Sequence, residues 1–262
     1  MARFDFIDSA ARGYRFFWDQ REVIARMALI PVVIKIVSFL AVTALGLEDN
    51  FLRLGLLLLP SYFAEGWLVA QLVRLAVLDE SWLMNLSGDV KKDAVLMRSR
   101  MRGILAGTLV YVLTKLVLSV FSGIALMQPG LHGSQATATE QGPGMLLAAI
   151  LLLAVMIWAF RLLWFYIPAA LDYSLTDFAK RIKSYGMSFY MLGTWLMCFV
   201  PLAMALIFIS QVMMTIFPAD GEAPSVLYTY AMAIVQAVIE MVIAIVSSVA
   251  MTYGIDSLYK NR

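Results

Sequence analysis

Histidine and cysteine are almost absent from this chain: His132 and Cys198 are the single copies in 262 residues. One cysteine excludes an intrachain disulfide, and one imidazole excludes the clustered nitrogen ligands of many metal sites. Charge is scarce as well, at 15% of residues against 62% apolar, and the mean hydropathy is +0.83. Soluble domains carry roughly a quarter of their residues as charges, so water is not the main solvent here. The net charge is only +2 and no dense basic run exists, which argues against nucleic acid as a partner. The first 20 residues hold Asp5, Asp8 and Asp19 and no apolar core, so they do not read as a cleavable secretory signal. No motif for a cofactor, a metal or a catalytic group is visible, and a non-enzymatic protein is expected.

What the chain does have is six long apolar stretches, at about 25–46, 53–78, 103–126, 145–170, 188–217 and 226–254. A helix rising 1.5 Å per residue needs about 20 such residues to cross ~30 Å of hydrocarbon. The connections 47–52, 127–144 and 218–225 contain no Lys or Arg. The segments on the other side hold 15 of the 20. Arg3, Arg12, Arg15, Arg21 and Arg26 cluster at the start, and Lys91, Lys92, Arg98, Arg100 and Arg102 come before the third stretch. Lys180, Arg181 and Lys183 precede the fifth, and Lys260 and Arg262 end the chain. Basic residues stay on the cytoplasmic side of a membrane. The expectation is an all-α integral membrane protein of the bacterial cytoplasmic (inner) membrane, with six transmembrane helices and both termini cytoplasmic.

The inner segments carry helical patterning of their own. In 1–24, Asp5, Asp8, Arg12, Arg15 and Asp19 recur at steps of three and four, which gathers them on one face. Phe4, Ile7, Ala11, Tyr14 and Trp18 fill the neighbouring arc, as in an interfacial helix with its aromatics among lipid headgroups. Ser174 followed by Asp177 predicts a second short helix, and 79–102 carries a weaker version. The layout therefore repeats one unit three times, an amphipathic segment followed by a membrane hairpin, with a period of roughly 80 residues.

The run Pro168-Ala-Ala-Leu-Asp172-Tyr-Ser174-Leu-Thr-Asp177-Phe-Ala-Lys-Arg181, followed by Ser184, Ser188 and a new apolar stretch, carries a resemblance. With the order of parts, it resembles the six-helix membrane domain of bacterial glycerophosphodiester phosphodiesterases and its stand-alone inner-membrane relatives. The hydrolase part of those enzymes has no counterpart in these residues. The resemblance implies a membrane-embedded accessory role and no catalytic group.

Beyond Arg26 and Arg53 at the ends of the first two, six charged residues fall inside the apolar stretches: Lys35, Glu65, Arg74, Lys115, Arg161 and Glu240. A base at a helix centre costs ~2.5–3.5 kcal/mol on the insertion scale when it faces lipid. Arg74 is near the inner boundary and is expected to snorkel. Counting at 1.5 Å per residue puts Lys35 about 15 Å deep, with Glu65, Lys115 and Glu240 near the same level and Arg161 slightly nearer the cytoplasm. These five residues are expected to form a paired network, with Trp158 and Trp164 flanking the Arg161 guanidinium. Thr108, Tyr111, Lys115, Ser119 and Ser122 make one polar stripe, and Ala233, Gln236, Ala237, Glu240, Ala244 and Ser247 make another. Both faces are expected to look inward. Trp164 and Tyr166 read as belt aromatics, and Gly103 with Gly107 as a small-residue crossing point.

Two functions follow. The first is an accessory, scaffold or assembly subunit that contacts membrane lipids and other membrane protein subunits through its intramembrane charges and amphipathic helices. The second is a small ion- or proton-coupled transporter or channel that uses Lys35, Glu65, Lys115, Arg161 and Glu240.

Overall fold

A computed structural model describes residues 5–46, 51–80, 88–126, 154–217 and 225–260, and all the regular structure among them is helical. Helix α1 spans Phe6–Asp19, and its start is fixed by Asp5, whose carboxylate accepts from the amides of Ile7 (2.9 Å) and Asp8 (3.3 Å). Gln20 separates it from α2 (Arg21–Leu45), which ends on Gly46 in the left-handed region at φ 59°. Pro31 is accommodated inside α2. The expected second stretch is split into α3 (Phe51–Leu57) and α4 (Leu59–Leu78). Pro60 explains the break, because it has no N–H to continue α3 and fits the first turn of α4.

Helix α5 runs unbroken over Val90–Leu126, so the basic residues from Lys91 onward extend the third stretch and do not form a separate surface helix. Residues 81–87 of that expected interfacial segment lie outside the described residues. The fourth stretch is described from 154 as α6 (154–160), a 3₁₀ turn at Arg161–Trp164 and α7 (Tyr166–Ala170). Pro168 accounts for the loosened turn, since its ring displaces the carbonyl four residues earlier, at Trp164. Helix α8 (Leu175–Arg181) starts on Ser174, whose hydroxyl accepts from the Asp177 amide at 3.3 Å, as the spacing predicts. Helices α9 (Tyr185–Ile216) and α10 (Val226–Lys260) complete the chain.

Among the described residues, four helical segments are long and apolar enough to cross a membrane: Arg21–Leu45, Lys91–Ser119, Tyr185–Ile216 and Val226–Tyr259. This is compatible with a multi-pass membrane protein. Helix α4 is not among the four, although ten of its residues are buried, from Ser61 through Glu65 to Leu75. It packs on α2, α5, α7 and α10 at once. A helix surrounded by protein meets other helices where a peripheral one meets solvent or lipid, so it tolerates Ser61, Glu65, Gln71 and Arg74.

Helix α10 is the second axis of the bundle and packs on α1, α2, α4 and α9. Val249, Ala250, Met251 and Ile255 on it are fully buried. Helix α1 crosses α10 at Gly13, where a Cβ would lie 2.7 Å from Ala250 Cβ and 2.9 Å from the Val246 carbonyl. No other residue fits that crossing without displacement.

Candidate functional site

Glu65 on α4 is the centre of a buried ion cluster and has no exposed surface. Its Oε2 accepts from Lys35 Nζ on α2 at 2.7 Å, and its Oε1 lies 3.2 Å from Lys115 Nζ on α5. Tyr111, one turn before Lys115, donates its hydroxyl to the same Oε1. Lys35 also reaches Glu240 Oε2 on α10 at 3.3 Å, and Gln236 donates to the other oxygen of Glu240 at 3.0 Å. Four helices thus each contribute one charge. Two lysines and two glutamates leave the cluster formally neutral, which is the arrangement a low-dielectric interior demands.

The four members differ in access. Lys35 is only 2% exposed, whereas the side chains of Lys115 and Glu240 keep 34% and 39% of their surface open. Both side chains line two half-open clefts, one along residues 228–236 of α10 and the other along residues 243–248. One, of about 700 Å³, reaches from Lys35, Tyr62 and Gln236 to Thr43, Leu54 and Tyr228. The other, of about 490 Å³, is walled by Tyr111, Trp164, Tyr166, Trp195, Ser247 and Ser248, among others. Lys115, Leu118 and Glu240 line both. The Trp164 indole N–H is buried without an acceptor among the described residues, although its side chain forms part of the second wall.

Of the five charges expected to meet, four do. Arg161 stands apart in the 3₁₀ turn, where its guanidinium donates to the Ile182 carbonyl and lies 4.4 Å from the Trp158 ring. The expected depth assumed an unbroken helix, and the break before Pro168 redirects the side chain toward α8. Trp158 is therefore the tryptophan that stacks on Arg161. Trp164, expected beside it or in an interfacial belt, is 5% exposed and packs against Tyr166 at 6.0 Å. Tyr166 is also interior, and its hydroxyl pairs with Ser248 Oγ at 2.8 Å. The two polar stripes look inward as expected over Thr108, Tyr111, Ala233, Ala237, Ala244 and Ser247, all of them buried.

A second polar layer was missed from the sequence. Arg74 does not snorkel, and is 5% exposed. It donates to the Ala170 carbonyl (2.7 Å), Asp172 (2.8 Å) and Glu80 (2.8 Å), and Arg100 lies 3.8 Å from Glu80. Asp79 and Asp172 both take positive φ, at 52° and 57°, and so end α4 and α7 around this arginine. Gly103 and Gly107 bring α5 against the same turn, since a Cβ on Gly107 would lie 2.7 Å from Ala170 Cβ. The acids after α4 and at Asp172 were the available signal. Nearby, Arg181 donates to the Leu258 carbonyl at 2.6 Å, and burial beside Asp256 raises the Tyr173 phenol above its ordinary pKa.

Of the described residues expected at headgroups on α1, Ile7 and Trp18 stay on the outer face and Tyr14 leaves it. Ser9, Ala10 and Gly13 form the docked side, and Ile7 and Trp18 are exposed. Tyr14 turns inward and donates to the Cys198 carbonyl on α9 at 2.8 Å, so it is not a headgroup contact. Phe4 lies outside the described residues. The chain matches no family model, no characterised protein and no solved structure.

Proposed function

We propose that this chain is a small ion- or proton-coupled transporter or channel of the bacterial inner membrane. In this proposal α4 and the 145–170 segment complete six spans, and both termini lie in the cytoplasm, where the basic segments belong. The observation that carries the reading is the position of Glu240 and Lys115, which line both clefts while tied through Lys35 and Glu65 into one neutral set. A proton or ion arriving at Glu240 from either cavity upsets that neutrality, and Lys35 then falls back on Glu65. Breaks in α3–α4 at Leu58 and in α6–α7 at Arg161–Trp164 support the same reading, because transporters place discontinuous helices beside their midplane charges.

The accessory-subunit alternative loses one of its motives, since Lys35, Glu65, Lys115 and Glu240 find their counter-ions within the chain. A relationship to the membrane domain of glycerophosphodiester phosphodiesterases stays part of the proposal. In this chain the Pro168–Arg181 run that carries the likeness builds the turn that holds Arg74.

The test is flux in proteoliposomes that enclose a pH-sensitive dye, under an imposed potential. Proton or cation entry should exceed that of protein-free vesicles and fall at least tenfold in Glu240→Gln. Equal flux in protein-free vesicles, or in Glu240→Gln, overturns the proposal.

A further inference from the structure

The 490 Å³ cavity is walled by six aromatic rings that form one continuous arc. From Tyr111 the arc passes to Tyr166 (centroids 5.0 Å apart), Trp164 (6.0 Å), Phe160 (6.0 Å), Trp195 (5.7 Å) and Phe199 (4.6 Å). Three separate parts of the chain supply it: α5, the α6–α7 region and α9. Aromatic faces carry negative quadrupole potential, and rings around a space are the usual receptor for an ammonium group that cannot be hydrogen-bonded.

A carboxylate stands in the same wall. Glu240 is the less firmly held acid of the cluster, with Lys35 at 3.3 Å against the 2.7 Å that Lys35 keeps to Glu65. Its side chain is 39% exposed. Lys115 is the one cation among the residues lining this cavity. It is already engaged with Glu65 at 3.2 Å, and its Nζ sits 5.4 Å from the Tyr111 ring centre. The wall therefore offers the partly exposed carboxylate of Glu240 and the accessible ring surface of Phe160, Trp195 and Phe199, behind which Tyr111, Trp164 and Tyr166 are buried.

We infer that this cavity binds a lipophilic organic cation of the quaternary ammonium or phosphonium class, with the aromatic arc around its apolar body and Glu240 as its counter-ion. This rests on the transport reading and deepens it by naming the class of cargo. When Glu240 turns to the ligand, Lys35 and Lys115 share Glu65, and the partly open side chains of Lys115 and Glu240 leave the added positive charge within reach of solvent.

The experiment is equilibrium dialysis of the full-length protein in mild detergent against tetraphenylphosphonium and against tetraphenylborate, which has nearly the same shape and the opposite charge. The expected result is saturable binding of the cation at one site per chain and none of the anion. Glu240→Gln should weaken it at least tenfold, and Trp195→Ala, at the far end of the arc from the ion cluster, about tenfold. Absence of saturable cation binding, preference for the anion, or equal affinity in both variants overturns the inference. Proton flux without cation binding removes the inference and leaves the transport reading. Cation binding without flux does the reverse.

Discussion

Replacing Glu65 with Gln keeps the shape of the side chain and removes the charge on which the ion cluster converges. Lys35, 2% exposed, would retain only Glu240 at 3.3 Å, and Lys115 would lose its partner at 3.2 Å. The four-charge set would then carry one uncompensated positive charge. Stranding a buried charge in this way costs about 3–5 kcal/mol. At 1.4 kcal/mol per factor of ten, that shifts the folded-to-unfolded ratio by roughly 10²- to 4 × 10³-fold. Thermal unfolding in detergent, followed by far-ultraviolet circular dichroism, should show a midpoint about 6–20 °C lower. The decisive comparison is the double variant Lys35→Met with Glu65→Leu. It removes one charge of each sign, leaves Lys115 to face Glu240, and should be more stable than Glu65→Gln. A loss below about 1 kcal/mol in Glu65→Gln, typical of an exposed pair, would refute the reasoning. So would a double variant that is no better than the single one.

Gly13→Leu should lift α1 from α10, because its Cβ has no room beside Ala250 and Val246. Since Cys198 is the sole cysteine and is buried behind α1, faster maleimide labelling of the folded protein reads out the displacement. Gly107→Leu should overpack the crossing with Ala170 and cost about 1–3 kcal/mol in the same unfolding assay. Burial raises the Tyr14 phenol above its ordinary value of 10.0, so the neutral form is the docked one. Its contribution is complete below that value and is lost as pH rises through the higher, folded value. Alkaline pH should therefore speed Cys198 labelling in the wild type, and Tyr14→Phe should remove that phenol-dependent step at a cost of about 0.5–1.5 kcal/mol for the lost hydrogen bond. Arg12→Ala, which breaks only the exposed pair with Asp8, should change stability by no more than about 0.5 kcal/mol.

Depth along a helix was legible in the sequence because rise per residue is constant. Lys35, Glu65, Lys115 and Glu240 were placed near one level by counting, and they meet. Direction around a helix was legible only where a stripe of small or polar residues marked the inner face, as in α5 and α10. Arg161 departs from the counted level because counting assumes a continuous helix, and Pro168 breaks the turn before it. On α1, hydrophobic periodicity pointed to an outward face of Phe4, Ile7, Tyr14 and Trp18, and it did not show the docking face, the small side chains Ser9, Ala10 and Gly13, which hydropathy does not register. The layer around Arg74 escaped for a different reason. Its acids, Glu80 and Asp172, sit at turns far apart in the chain, and only the folded backbone brings them together.

The most direct measurement is the reactivity of two cysteines placed one in each cleft beside the ion cluster in a Cys198→Ser background. Ser119→Cys lines the cavity toward Tyr228, and Ile243→Cys, partly exposed, lines the aromatic cavity. With a membrane-impermeant thiol reagent in oriented vesicles, the first should react only from the outer face and the second only from the cytoplasmic face. If neither reacts, or if both react from one face, the cluster does not divide two aqueous approaches and the transport reading is wrong.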